Sequence, residues 1–125
     1  MISGTVNSRR EPIIRVSLRG PQGRAREAEV LVDTGFSGAL LLPLDFIAEL
    51  RLPSVGTLHT VLGDGSTTRL KFYKGTILWE GQLRLISVGA TTAVPLLGMD
   101  LLYGSKLTIE VVEGGEVVIR ALSLS

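Results

Sequence analysis

Between residues 14 and 19, apolar Ile14, Val16 and Leu18 alternate with Arg15, Ser17 and Arg19, the two-residue period of a strand with one face buried. After a turn at Gly20-Pro21-Gln22-Gly23 the period returns. Ala28, Val30 and Val32 share one face of a strand that delivers Asp33 at its end. Short runs rich in Val, Ile, Leu and Thr then recur between Gly, Pro and Asn punctuation, so strands dominate the expected fold. Ile2 to Val6 reads as a short strand, followed by a polar connection from Asn7 to Pro12. Ala39 to Pro43 contains no polar residue and predicts a strand buried on both faces. Leu44 to Leu50 predicts a short helix with Leu44, Ile47 and Leu50 on its inner side, and Pro53 limits its extent.

Further on, Thr57 to Leu62 and Thr67 to Tyr73 flank Gly63-Asp64-Gly65-Ser66, and Asp-Gly between two such runs predicts a hairpin. A glycine on either side of Asp64 makes the tip slim, as a lid over a cleft requires, although plain solvent hairpins share the pattern. Thr76 to Trp79 and Leu83 to Ser87 predict another hairpin across Glu80-Gly81-Gln82. Val94 to Gly98 is a second apolar strand ending at a glycine. It leads into one or two helical turns over Met99 to Tyr103, stopped by Gly104. The tail pairs Leu107 to Val112 with Val117 to Leu122 over Glu113-Gly114-Gly115-Glu116. Two apolar strands that each end in glycine suggest a pseudo-symmetric pair of halves.

Length adds a constraint. The 125 residues form one domain, 1–125, with a single core and little material for a deep cleft, so a large cleft calls for two chains. A net charge of +1 from 13 dispersed basic and 12 acidic residues gives no reason to expect nucleic acid or an anionic membrane as partner. With no cysteine, disulfides, thiolate nucleophiles and Cys-based metal sites are excluded. His59 is the sole histidine, so a Ser-His-Asp triad has only that residue to use and a multi-histidine zinc site within one chain is ruled out. No cofactor or metal is expected. The chain has no apolar run of membrane-spanning length and no basic segment leading an apolar one near Met1, so the expected setting is cytoplasmic.

The candidate chemistry lies in Val30-Leu31-Val32-Asp33-Thr34-Gly35-Phe36-Ser37-Gly38, an apolar run stopped by an acid, a hydroxyl and a glycine. A carboxylate at the end of a buried strand is costly unless donors meet it or another acid shares its proton. Thr34 can donate and accept, and Gly35 lets the backbone N–H approach the carboxylate. The plain alternative is a surface turn, where Asp and Gly abound.

Taken together, three segments occur in the order found in retropepsin-like aspartic proteases. Val32-Asp33-Thr34-Gly35 resembles the catalytic motif, Gly63-Asp64-Gly65-Ser66 the flap tip, and Leu96-Leu97-Gly98-Met99-Asp100-Leu101-Leu102 the hydrophobic-hydrophobic-glycine segment with its helix. In detail the chain is most similar to small bacterial-type members. The resemblance implies an all-β, single-lobe acid-protease fold, a β-barrel with a flap hairpin and one or two short helices. It also implies a homodimeric aspartic endopeptidase, each copy supplying Asp33 to a shared dyad that activates water. Thr34 would bond across the dimer, and Gly35 would offer its N–H to the carboxylate. An extended peptide or protein substrate, apolar near the cleaved bond, would meet Phe36, Ser37, Leu97 and the flap residues Leu62, Gly63, Asp64, Gly65 and Ser66.

The chain departs from the family pattern in three places. Phe36 stands where Ala or Ser is usual, so its ring narrows the cleft or enters a specificity pocket. Ser37 and Met99 occupy the positions of an acid and an arginine that pair in viral enzymes, and the two partners are missing together. The tail runs well past Leu102, which points to dimerisation through a different sheet, with the Leu107 to Leu122 hairpin as the candidate. The rival reading is a catalytically weak or silent module of the same fold that dimerises or binds peptides. A third is a scaffold in which Asp33 only turns the chain. Asp100 is expected to cap the short helix or bond nearby backbone, and Asp64 to serve its turn. His59 should face solvent or the core edge, and Trp79 and Phe72 should sit in the core or at its rim.

Overall fold

The computed structural model describes residues 1–61 and 64–123. The chain is mostly β. The first three strands are β1 (Ile2–Val6), β2 (Pro12–Arg19) and β3 (Ala25–Val32), each antiparallel to the one before. On β2, Ile14, Val16 and Leu18 are buried, and on β3 Ala28, Val30 and Val32, so the alternating pattern fixed which face turned inward. Arg15, between them, meets Glu27 and Glu29 across the exposed face.

Next come β4 (Leu40–Pro43) and α1 (Leu44–Glu49). β4 was expected to be buried on both faces, but only Leu40 and Leu42 are. Leu41 covers the glycine at position 89 on the other face, where an added Cβ would lie 2.5 Å from Leu41 Cδ2, and stays partly exposed. The inner face of α1 also differs from expectation. Phe46, Ile47 and Leu50 are buried, an i, i+1, i+4 set, whereas Leu44 is 52% exposed. Arg26 explains part of this choice: its guanidinium lies 4.5 Å from the Phe46 ring centroid and pairs with Glu49, covering the ring from outside.

β5 (Ser54–Val61) and β6 (Thr67–Trp79) form the hairpin expected around Asp64, and β7 (Gln82–Thr91) follows. β6 is one continuous strand where the sequence predicted two. Its Gly75 is a packing site rather than a break, since a Cβ there would stand 3.1 Å from Leu52 Cδ1. Along one edge β6 pairs first with β5 and then with β2, and the Lys74 N–H donates to the Pro53 carbonyl at the changeover. Glu80 and Gly81, with φ of 50° and 79°, make the two-residue turn into β7 that suits the strand twist.

β8 shrinks to Leu96–Leu97, followed by α2 (Met99–Leu102), β9 (Ser105–Ile109) and β10 (Glu116–Ala121). β8 lies between β3, to which it is parallel, and β4, to which it is antiparallel. The pairings β2-β3-β8-β4-β7-β6 return to β2, while β1, β10 and β9 extend the sheet beyond β2. Trp79 is buried and Phe72 half-buried. Among the described residues every fully buried side chain is apolar, so chemistry is confined to the rim. None of their helices is long and apolar enough to cross a membrane.

Candidate active site

Asp33 leaves the core where β3 does. Val30 and Val32 are buried, the Leu31 N–H donates to the Pro95 carbonyl at 3.0 Å, and the Asp33 N–H donates to the Leu97 carbonyl at 2.9 Å. The last turn of the strand is thereby clamped to β8, and the carboxylate emerges half-buried at its end. The following turn is closed twice. Asp33 Oδ1 accepts the Gly35 N–H at 2.9 Å, and the Asp33 carbonyl accepts the Phe36 N–H at 3.1 Å. A Cβ at Gly35 would stand only 3.2 Å from Oδ1, so glycine keeps that approach open. Thr34 and Ser37 are exposed on the loop.

A second segment holds the loop from the other side. The Gly98 N–H donates to the Ala39 carbonyl, the Met99 N–H to that of Phe36 at 2.8 Å, and the Asp100 N–H to that of Gly38 at 3.2 Å. The approach is too close for a side chain. A Cβ at Gly98 would collide with the Gly38 carbonyl and lie 2.5 Å from Phe36 Cδ2, and one at Gly38 would lie 2.6 Å from Phe36 Cζ. The Phe36 ring therefore sits on two glycines, partly exposed, in space that they alone leave free. Sequence reasoning singled out Phe36 but missed this seat. The available signal was a bulky residue two positions before one glycine, with Leu-Leu-Gly later in the chain.

Of the other expected site residues, Leu97 is fully buried (0% exposed), and what it offers the site is its backbone carbonyl. Asp64, Gly65 and Ser66 are exposed at the β5–β6 turn, with Gly65 at φ +85°. Leu62 and Gly63 lie outside the described residues. Asp64 Oδ1 accepts the Ser66 hydroxyl at 2.6 Å and the Ser66 N–H at 2.9 Å. These two donors, the hydroxyl foremost, hold the Asp64 carboxyl below its ordinary value. Asp100 does not cap α2 as expected. The N-cap is Gly98 without a side-chain bond, and Asp100 is exposed and joins the site through its backbone. His59 is exposed on β5, opposite Arg69.

The structure thus brings Asp33 to Phe36 together with Leu97 to Asp100, two loop segments that continue the parallel strands β3 and β8. Among the described residues, one half-buried carboxylate, braced by its own turn, is what a single copy presents there. No protein-family model matches the sequence, and no curated protein does. Among solved structures the chain is similar to the crystal structure of a retropepsin-like aspartic protease from Rickettsia conorii, with a TM-score of 0.54 and 15% sequence identity over 97% of this chain and 91% of that one. At that identity the likeness is one of fold, and the chain shares the fold of a retropepsin-like aspartic protease.

Proposed function

We propose that the chain is an aspartic endopeptidase that works as a homodimer, each copy contributing Asp33 to one dyad. The observation that carries the reading is the Asp33 loop, with its carboxylate half-buried at the end of β3, bonded to the Gly35 N–H and braced by the Gly98 segment. The shared fold supports it. The seat of Phe36 on Gly38 and Gly98 supports turnover over the silent-module alternative, because the ring has a structural place of its own.

In this reading two Asp33 carboxyls hold one proton between them, since like charges that close do not both ionise. The ionised partner takes a proton from water as the water oxygen attacks the peptide carbonyl carbon. The protonated partner gives its proton to the carbonyl oxygen, and a gem-diol forms. Its collapse breaks the C–N bond, the amine taking a proton from the dyad, and no acyl-enzyme arises. Thr34, exposed beside the acid, bonds across the dimer, and the β5–β6 turn at Asp64, Gly65 and Ser66 covers an extended peptide by strand addition. Phe36 and Ser37 border the bound peptide.

The test is cleavage of a diverse peptide library between about pH 4 and 7, with Asp33→Asn alongside. Asn keeps the shape and cannot carry the charge, so turnover is expected to fall by roughly 10²–10⁴-fold or more. A statine-type mimic of the gem-diol should inhibit the wild type, because it resembles the transition state more than the substrate does. Peptide binding by both proteins without cleavage by either would replace this reading with the binding module.

A further inference from the structure

β9 is the last strand in the sheet, with β10 on one side and, among the described residues, no strand on the other. The outward face of this hairpin has an unusual charge order. Lys106 stands directly opposite Arg120, Thr108 opposite Val118, and beyond Ile109 and Val117 come Glu110 and Glu116, joined by the Glu110 N–H to the Glu116 carbonyl at 2.9 Å. Like charges therefore face each other at both ends, an arrangement that disfavours the isolated hairpin. All four charged side chains are exposed, and none sits in an ion pair among the described residues.

We propose that a second copy of the chain adds to β9 as an antiparallel strand, with Thr108 on the two-fold axis. Backbone direction fits this register. Glu110 turns its N–H toward β10, so strand alternation leaves the N–H and C=O of Leu107 and Ile109 facing the open edge. With Thr108 on the axis, Leu107 meets the partner's Ile109, and each such pair exchanges two hydrogen bonds. Lys106 then stands opposite the partner's Glu110 in the closer, non-hydrogen-bonded kind of pair. Arg120, Lys106, the partner's Glu110 and the partner's Glu116 form one row across the joined sheet, and symmetry repeats the row on the other side of the axis. The like-charge columns of one copy become rows that meet opposite charge.

Neighbouring registers lack this match. An axis at Leu107 sets Lys106 against the partner's Thr108, and an axis at Ile109 sets Thr108 against the partner's Glu110. An edge lysine ordinarily deters strand addition, and a glutamate placed to receive it makes the deterrent selective for one partner and one register. The contact rests on the homodimer reading above and gives it a surface. β9 begins three residues after α2, whose Met99 and Asp100 hold the Asp33 loop, so a dimer joined here keeps both acids in one particle.

Sedimentation equilibrium, with peptide cleavage measured in the same samples, tests it. Lys106→Glu and Glu110→Lys should each weaken the dimer by about tenfold or more, because each sets like charges across the axis. The double variant Lys106→Glu/Glu110→Lys exchanges the charges and should restore it. A wild type that stays monomeric at micromolar concentration, single variants that dimerise unchanged, or a folded double variant that fails to recover would each overturn the proposal. If dimerisation follows the charges while the wild type cuts nothing, the edge contact stands and the protease reading falls. If the wild type cuts and the variants dimerise normally, the edge contact falls alone.

Discussion

Phe36 and Gly98 depend on each other. The ring occupies the space that a Cβ at Gly98 would need, and the Phe36 carbonyl takes the Met99 N–H, so Asp33 is aimed by contacts made three residues after it. Gly98→Ala is expected to destabilise the fold by about 1–3 kcal/mol in urea denaturation, the range for forcing extra volume into a packed site. Any cleavage activity should fall further than the stability loss explains, because the loop is displaced as well. At Asp64 the electrostatics make a separate prediction. Its carboxyl is held low by Ser66, so it favours the folded state above the ordinary carboxylate range and loses that contribution as pH falls through its own depressed value. Ser66→Ala removes the leading donor, and NMR titration should show Asp64 ionising closer to its ordinary range. An unmoved titration would mean that the Ser66 bonds do not persist in solution.

Most elements were legible because their period is simple. Alternation fixed the inner faces of β2 and β3, and Glu80-Gly81 announced its turn. What the sequence hid were effects of contact between elements. Glycine at 75 reads as a break, yet it admits Leu52 and lets β6 run unbroken from β5 to β2. Spacings of three placed Leu44 inside α1, but Arg26 covering Phe46 belongs to another strand and turned the helix so that Leu44 faces water. The two positions should respond differently. Leu42→Ala, in a fully buried site, should cost about 2–5 kcal/mol, whereas Leu44→Ala should fall within about 0.5 kcal/mol of neutral in the same denaturation series. Equal losses would contradict the observed helix face.

For the whole molecule, the Asp33 motif was readable because its chemistry is local, an acid followed at once by the residues that bond it. The brace from Gly98 and the seat of Phe36 were not, since they join residues far apart in sequence. Nor does composition disclose that, among the described residues, one copy offers a single braced acid at this site. The proposed shared dyad would make activity a property of pairs of chains. The direct measurement is cleavage rate in mixtures of wild type and Asp33→Asn at fixed total protein, after subunit exchange. If two Asp33 residues form one site, the rate follows the square of the wild-type fraction, so an equal mixture retains about a quarter of the activity. A rate that falls in simple proportion, to about half, would mean that each copy works alone and would contradict the account.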